Sequence, residues 1–278
     1  MENVSINADA WEVKQRFLDV PYNTLRFHEV IAAIEGVKHT DGFFYIVTPN
    51  VDHAVRLRGD NILQNIYEQS WLSLCDSKPI SWMAKSLSFP LPLVTGSDLT
   101  ACLFHEVIQP GDRVTLIAPY EEVAQRMIER FPDVHITYHV PPRNVITNEE
   151  AMRACAEFAA RDKPNFIFIA VGSPQSELIA YEISHTAGST GVCICCGASL
   201  EFITNLQTRA PFVMQKFGFE WLYRLMSDPR RLWRRYVYAV PPLVRMFAAE
   251  AMMRSKSRQR ARSEKNIVEK QLEKHKTA

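Results

Sequence analysis

Six short apolar runs, rich in β-branched and aromatic residues, recur along the chain and predict strands that are buried on both faces. Between them lie segments in which apolar residues return every three or four positions, the spacing of one face of a helix. Strands that alternate with helices predict βαβ units, and therefore an α/β fold with a mostly parallel, doubly wound sheet and helices on both faces. The six runs cover residues 43–47, 71–74, 114–118, 134–138, 166–171 and 192–196.

Two segments between these runs show the helical spacing most clearly. The segment 148–162 carries acidic residues in its first turn, and either Thr147 or Asn148 is placed to cap it. The segment 121–131 is expected to bury one face, formed by Val123, Met127, Ile128 and Phe131.

The composition fits a folded protein that is made and kept in the cytoplasm. The 278 residues are 47% hydrophobic, enough for one large core or two modest ones. No run approaches the roughly 18–20 apolar residues of a spanning helix, and we expect no signal peptide at the N-terminus. The six cysteines include no CxxC pair and no histidine at zinc spacing, so we expect reduced thiols in the core.

Charge is distributed unevenly along the chain. Residues 224–278 hold 15 Lys and Arg against 5 Asp and Glu, while residues 1–223 hold 17 against 26. A basic arm of this kind binds nucleic acid or an anionic membrane, or it is a solvated helix without a partner. We favour the membrane and expect no nucleic acid, because an acidic body repels a phosphate backbone. The apolar residues that alternate with the arginines, and are expected at the membrane interface, are Trp221, Leu222, Leu225, Trp233, Tyr236, Tyr238, Leu243, Met246 and Phe247.

These patterns divide the chain into three segments. We predict an α/β body over residues 1–205, a helical membrane-associating appendage over residues 206–255 and a charged, flexible tail over residues 256–278. The strands and helices of the core are expected to end before Val237, so that the body folds without the remaining C-terminal residues.

Several known catalytic motifs are absent from the sequence. It has no GxGxxG, no P-loop lysine, no HExxH and no GxSxG, which removes the main support for dehydrogenases, P-loop enzymes, zincins and α/β-hydrolases. It also lacks a DxD carboxylate pair, so we expect no tightly bound metal and no cofactor.

Ligands of a doubly wound sheet bind at the carboxyl ends of its strands, so polar residues just after each strand are the candidates. Asp76 is placed to act as a general base, and the alternative is that it caps the following helix. Thr48 and Asn50 can bond the edge of a sugar or uracil, or can form a turn that fixes the loop; the sequence leaves both open.

Two further groups of polar residues follow predicted strands. Thr95, Ser97 and Asp98 precede a helix whose first amides can hold an anion, although capping is the favoured interpretation. A structural role is favoured for His53, which lies one helical turn beyond Asn50.

Five stretches of this sequence together resemble one family. They are TPNVDH (48–53), DSKPI (76–80), TGSDL (95–99), VGSPQSE (171–177) and TRAPFVMQKFGFEWLYRLMSDPRRLWRRY (208–236). In this order and spacing, over roughly residues 15–240, they are similar to the WecG/TagA/CpsF glycosyltransferases of bacterial surface polysaccharide synthesis. The resemblance implies a Rossmann-like body that transfers a sugar from a UDP-sugar to a glycan on undecaprenyl diphosphate. It also implies inversion and a peripheral location on the inner face of the plasma membrane.

The resemblance also implies roles for individual residues. Asp76 matches the proposed base, Thr48 and Asn50 match the active-site pocket, and Glu177 matches a carboxylate that binds a sugar hydroxyl. The chain departs from the family pattern around the donor: Ser77 and Asn205 replace Gly, Ser176 replaces Gln, Glu201 replaces Asp, and Ala118-Pro119 replaces a Gly-Gly pair. Further substrate-binding residues are expected at His53, Ser97, Asp98, Gly172, Pro174 and Glu201.

The implied reaction is a single displacement in which Asp76 removes a proton from the acceptor and UDP leaves. Arg224, Arg231 and Arg234 are expected either to neutralise the leaving diphosphate or to bind anionic lipid. A non-catalytic, membrane-associated scaffold of a polysaccharide-synthesis complex is the alternative function. The sequence leaves open the donor sugar, the acceptor glycan and a homo-oligomeric state.

Overall fold

The computed structural model describes residues 13–276, apart from the side chains of Phe212, Arg224, Arg231, Leu232, Arg235, Tyr236 and residues 260–276. Within this range the chain forms one six-stranded sheet and one two-stranded hairpin. The hairpin pairs β1 (Gln15–Phe17) with β2 (Val20–Tyr22) in antiparallel fashion. The sheet contains β3 (Phe43–Val47), β4 (Leu72–Ser73), β5 (Arg113–Ile117), β6 (His135–His139), β7 (Phe166–Ile169) and β8 (Gly191–Cys195).

All six apolar runs of the sequence become strands of the main sheet, in the order β4-β3-β8-β7-β5-β6. Neighbouring strands pair in parallel throughout; β3 and β8, for example, run in register from Phe43 and Gly191 to Ile46 and Ile194. The predicted α/β class with a parallel, Rossmann-like sheet is therefore confirmed. Because the strands are parallel, the loops that follow β3, β4, β7 and β8 all emerge at one edge.

Helices cover both faces of the sheet. They are α1 (Phe27–Val37), α2 (Val51–Leu57), α3 (Asn61–Gln69), α4 (Lys78–Ser86), α5 (Gly96–Cys102), α6 (Glu121–Arg130), α7 (Glu149–Arg161), α8 (Gln175–Ser184), α9 (Ser199–Ile203), α10 (Phe212–Lys216), α11 (Glu220–Ser227) and α12 (Pro229–Lys276). A π-helical turn (Leu103–Val107) follows α5, and a short 3₁₀ turn (Val145–Thr147) precedes α7.

Strand side chains alternate between two apolar layers. Ile167 and Ile169 of β7 face the layer that includes α2, α3, α7 and α8. Phe166 and Phe168 of the same strand face the layer that includes α1, α5, α6 and α9. Because both faces of the sheet are covered, strands β3, β7 and β8 carry no charged residues and appear in the sequence as continuous apolar runs. Each fully buried large side chain contributes about 1.5–3 kcal/mol.

Local signals in the sequence place two helices correctly. Asn148 caps α7, because its side chain accepts a hydrogen bond from the N–H of Ala151 at 3.0 Å. In α6, Val123 and Met127 are fully buried as predicted, but Ile128 is 39% exposed. The prediction for Ile128 is wrong because α6 buries a stripe that runs through Val123, Ala124 and Met127.

The long helix α12 contributes to the core of the molecule. Leu243 and Met246 are buried in the layer on the α2 side of the sheet. The expectation that the core ends before Val237 is therefore wrong, as is the placement of Leu243 and Met246 at a membrane interface. One face of α12 is buried against the body, and the aromatic and basic residues around it obscure this pattern in the sequence. The buried positions of this face are Ala239, Leu243, Met246 and Glu250.

Further along α12, basic side chains contact the body. The guanidinium of Arg254 lies 4.4 Å from the centre of the Phe89 ring, and Arg258 donates a hydrogen bond to the carbonyl of Leu87 at 2.7 Å. The helix continues across the boundary predicted between residues 255 and 256. Side chains from residue 260 onward, which make up most of the predicted flexible tail, lie outside the described part of the structure.

Two expectations from composition can be compared with the structure. All six cysteines are free thiols, and five of them are buried, Cys102 being partly exposed. Between residues 13 and 276, the structure contains no helix both long enough and apolar enough to cross a bilayer.

Candidate active site

Polar loops from four parallel strands meet at the carboxyl edge of the sheet. We call this region the strand-end site and define it by residues 48–50, 76–77, 95–98, 172–177 and 197–201. Thr48, just after β3, donates a hydrogen bond to the carbonyl of Cys195 at the end of β8, at 3.2 Å. The neighbouring strands β3 and β8 thus end side by side, at the place where ligands of doubly wound sheets bind.

Asp76 lies between two other loops of the strand-end site. Its backbone N–H donates to the carbonyl of Pro49 at 3.1 Å, and the neighbouring carbonyl of Cys75 accepts from Val94 at 2.9 Å. The side chain of Asp76 is partly exposed. The loop after β4 is therefore held against both the loop after β3 and the segment that leads into α5.

The N-cap residue of α4 is Ser77 rather than Asp76. The hydroxyl of Ser77 accepts a hydrogen bond from the N–H of Ile80 at 3.3 Å and caps α4. The buried side chains of Tyr22 and Cys75 form an apolar wall behind Asp76. Burial, and to a smaller extent the charge of Asp76, raises the pKa of both groups, and the pKa of the Cys75 thiol reaches about 12. A partly exposed carboxylate on such a wall is suited to accept a proton.

Thr48 and Asn50 both help to hold the backbone of this site. Thr48 is buried and faces Gly96, where an added Cβ would lie 3.0 Å from the Thr48 hydroxyl oxygen. The Asn50 side-chain oxygen accepts from the N–H groups of Asp52 and His53 at 3.0 and 3.4 Å and so caps α2. The turn-forming alternative for Asn50 is thus present in the structure, and its role toward substrate remains a prediction.

The first turn of α5 carries a capping arrangement and an ion pair. The hydroxyl of Thr95 accepts from the N–H of Asp98 at 3.1 Å and donates to the Asp98 carboxylate at 2.7 Å. The other carboxylate oxygen of Asp98 lies 2.7 Å from the guanidinium of Arg209. Ser97, on the same turn, lies 3.5 Å from the hydroxyl of Ser199 at the start of α9. The favoured capping interpretation therefore describes Thr95, whereas the Asp98 carboxylate bonds Thr95 and Arg209.

A buried network lies beneath the site and joins three helices. The hydroxyl of Tyr67 donates to Glu177 at 3.2 Å and lies 3.0 Å from Nδ1 of His53. Glu177 is 2% exposed, and its second carboxylate oxygen has no hydrogen-bond partner among the described residues. Burial raises the pKa of Glu177 above its ordinary value. His53 is thus a buried partner in this network, in keeping with the structural role favoured from the sequence.

The loop between β7 and α8 lies next to this network and contacts α2. Arg56 donates to the hydroxyl of Ser173 at 3.3 Å and pairs with Asp52 at 2.6 Å. Gly172 has φ of +82°, in the left-handed region that favours glycine, and the Ser173–Pro174 peptide bond is cis. The loop that contains the predicted Gly172 and Pro174 is therefore fixed by contacts with α2.

Residues that depart from the family pattern are accommodated by the fold. Ser176 is buried and donates to the carbonyl of Ile169 at 3.3 Å. Asn205 has φ of +56°, a conformation that asparagine tolerates better than most residues and that explains why glycine suits this position. Ala118 is buried at the end of β5. Ser77 is the residue that caps α4.

Glu201 lies on α9 and faces the loop after β5. The hydroxyl of Tyr120 donates to the carboxylate of Glu201 at 2.8 Å. Burial, together with this carboxylate, raises the pKa of Tyr120 to about 12. The pair joins the loops after β5 and β8 and marks the outer side of the strand-end site.

The predicted arginines lie in the C-terminal helices. The side chains of Arg224 and Arg231 are outside the described part of the structure. Arg234 is exposed, and its guanidinium lies 5.6 Å from the centre of the Trp233 ring. Described residues also include no group of three or more His, Cys, Asp or Glu side chains placed to hold a metal ion.

The sequence of the chain also matches known proteins. The model of a family described as "Glycosyl transferase WecG/TagA/CpsF family" matches residues 15–257. The chain belongs to this family. It is a glycosyltransferase, and the resemblance drawn from its strand-end motifs is confirmed.

Curated relatives in the WecG/TagA/CpsF family have a more specific name. The chain is 25% identical over 205 residues to an N-acetylglucosaminyldiphosphoundecaprenol N-acetyl-beta-D-mannosaminyltransferase of Bacillus spizizenii, over 72% of this chain and 77% of that protein. Proteins with the same name in Staphylococcus aureus strains MW2 and NCTC 8325 are 29% identical over 114 residues. Those shorter matches cover 41% of this chain and 42% of each relative.

Two residues that contact the strand-end site of this WecG/TagA/CpsF protein were not predicted from its sequence: Arg209 and Tyr67. Arg209 lies inside the TRAP stretch that carried part of the resemblance, but its partner Asp98 is 111 residues away. Tyr67 lies on α3, outside every motif, and reaches the site only through the packing of α3 on α8. A signal for Arg209 existed in its motif; for Tyr67 the sequence offers none.

Proposed function

We propose that this chain transfers a sugar from a UDP-sugar to a glycan on undecaprenyl diphosphate, with inversion, in the synthesis of an exopolysaccharide or another surface polysaccharide. The observation that carries the proposal is the position of Asp76, held between the loop after β3 and the segment entering α5, with its capping role taken by Ser77. The names of the curated relatives support an acceptor built on undecaprenyl diphosphate.

In the proposed reaction, Asp76 accepts the proton of an acceptor hydroxyl as its oxygen attacks the anomeric carbon of the donor. A new carbon–oxygen bond forms on one face of the sugar while the bond to the diphosphate breaks on the other. The electron pair of that bond leaves with UDP. Attack from the opposite face inverts the anomeric configuration, and no covalent sugar–enzyme intermediate is formed.

Four of the departures from the family pattern bear on the alternative of a non-catalytic scaffold. Each departing side chain has a structural explanation: Ser77 caps a helix, Ser176 bonds a strand carbonyl and Asn205 takes up a left-handed turn. Ala118 fits a buried position at a strand end. These departures are thus compatible with a folded strand-end site, as a working enzyme requires.

We also propose that the protein acts while bound peripherally to the inner face of the plasma membrane. Helices α10 to α12 expose large apolar side chains next to basic ones, a composition suited to the interface of an anionic bilayer. Trp82 of α4 extends this surface, since its ring packs against Gly218. Exposed members of the surface include Phe217, Phe219, Trp221, Met226, Trp233, Val237 and Tyr238.

Incubation of the protein with UDP-N-acetylmannosamine and a short-chain N-acetylglucosaminyl diphospholipid tests the proposal. We expect release of UDP that depends on the acceptor, and a lipid product heavier by one sugar in the mass spectrum. UDP-glucose and UDP-N-acetylglucosamine, run in parallel, identify the donor. Binding of donor and acceptor without any product, across all donors, would instead support the scaffold.

A further inference from the structure

We propose that Arg209 holds the diphosphate of the donor and stabilises it as it leaves. This inference rests on the proposed function, because it assumes a donor that carries a nucleoside diphosphate. Arg209 precedes α10 and is joined to the strand-end site by its 2.7 Å ion pair with Asp98. Its position in the TRAP stretch marks it in the sequence, but only the structure shows its partner Asp98.

The ion pair fixes Arg209 relative to the base. Asp98 is itself held by Thr95, at the start of α5, through hydrogen bonds in both directions. Immediately before Thr95, Val94 bonds the carbonyl of Cys75, whose neighbour is Asp76. Immediately after Thr95, Gly96 packs against Thr48. A short chain of contacts thus joins the guanidinium and the carboxylate base to the same segment, residues 94–98.

The guanidinium has donors left for a ligand. Arginine carries five N–H groups in a planar fork, and that fork matches the oxygens of a phosphate. Asp98 engages one terminal nitrogen, and the side chain of Arg209 is 24% exposed. The Nε–H group is buried and has no hydrogen-bond acceptor among the described residues. Because the Nε atom is closed to solvent, a phosphate oxygen would bond the terminal N–H groups that Asp98 does not engage.

Asp98 then serves to position Arg209. A charged side chain held in place before the donor binds loses little conformational freedom on binding, so more of its interaction appears as affinity and as stabilisation of the leaving group. The competing explanation is that the ion pair only tethers residues 208–211 to α5. The two explanations differ in what happens to ligands with and without phosphates.

Isothermal titration with UDP and, by competition, with uridine separates them. We expect Arg209→Gln to weaken UDP binding by roughly 10–100-fold, the usual effect of losing a charged hydrogen-bonding group, while uridine binding changes by less than about twofold. Arg209→Lys keeps the charge but not the planar fork of N–H groups, so its UDP affinity is expected to lie between those of Arg209→Gln and the wild type. Asp98→Asn, which breaks the same ion pair but keeps the guanidinium, is expected to lose less UDP affinity than Arg209→Gln.

Arg126→Gln is the matched control, because Arg126 forms an ion pair of similar length, 2.8 Å, on the exposed face of α6. If a folded Arg209→Gln protein binds UDP as tightly as the wild type, Arg209 does not hold the diphosphate, although the proposed function stands. The same conclusion follows if the variant loses equal affinity for UDP and for uridine. Failure of the wild type to bind UDP would overturn the proposed function together with this inference. Should Arg209→Gln not fold, the same comparison with Arg209→Lys decides the question.

Discussion

At the scale of single residues, the strand-end site depends on side chains that hold the backbone as much as on those that face a ligand. Asn50, Ser77 and Thr95 each cap a helix that begins at the strand-end site. The sequence cannot separate capping from binding at such positions, because both use the same side-chain oxygens. Only the exact start of each helix decides, and the start of α4, one residue after Ser77, makes Ser77 its cap rather than Asp76.

Glu177 offers a test of the buried network by its effect on stability. Burial is the main cause of its raised pKa; the bonds from Ser173 and Tyr67 and the charge of Arg56 act in the opposite direction and are weaker. Once the pH exceeds 4.5, the ordinary pKa, Glu177 ionises in the unfolded chain but stays protonated in the folded one. The free energy of unfolding therefore falls as pH rises toward the raised pKa of the folded state. Glu177→Gln cannot ionise and should escape this loss.

We therefore expect the free energy of unfolding of Glu177→Gln, relative to the wild type, to increase as pH rises from about 4.5 to about 8. Urea unfolding at several pH values measures this difference. Glu157→Gln, at an exposed position on α7, serves as the control and should show no such trend. Parallel pH profiles for Glu177→Gln and the wild type would contradict the account of the network.

At the scale of elements, the sequence predicts the six strands of the main sheet but not the hairpin of β1 and β2. The strands of the sheet are buried on both faces and so leave long apolar runs, whereas each hairpin strand has three residues. Strand order is also absent from the pattern, since it is set by which helices pack together. The insertion of β8 between β3 and β7 brings Thr48 beside Cys195, and no local signal predicts that contact.

Helix α12 provides a prediction at the same scale. Leu243→Ala should lower the free energy of unfolding by about 2–5 kcal/mol, the usual cost of truncating a buried leucine. Val244→Ala, one position along the helix and 55% exposed, should change it by less than about 0.5 kcal/mol. Chemical denaturation of both variants measures the difference, and equal small effects would mean that α12 does not pack on the body in solution.

At the scale of the whole molecule, the proposed membrane surface predicts a particular dependence on lipid and salt. Each basic residue close to an anionic surface contributes about 1 kcal/mol, and salt screens it within about 8–10 Å. Binding to vesicles should therefore need anionic lipid and weaken as salt rises. Co-sedimentation with vesicles of neutral or mixed anionic lipids measures both effects.

The double variant Trp221→Ala, Trp233→Ala should weaken vesicle binding while leaving transfer to a water-soluble acceptor within about twofold, because both side chains are partly exposed and belong to the apolar surface. Ile62→Ala, which removes a 71% exposed apolar side chain from α3 on the body, is the control for general surface effects. Binding that ignores both lipid charge and salt would contradict the electrostatic part of the proposal.

The most direct test of the central claim is the turnover of Asp76→Asn. The variant keeps the size of the side chain but cannot accept the proton, so kcat for sugar transfer should fall by roughly 10²–10⁴ while UDP affinity stays within about threefold. Asp162→Asn, an exposed change just after α7, should behave like the wild type in both measurements. Near-normal turnover by a folded Asp76→Asn protein would contradict the assignment of Asp76 as the base.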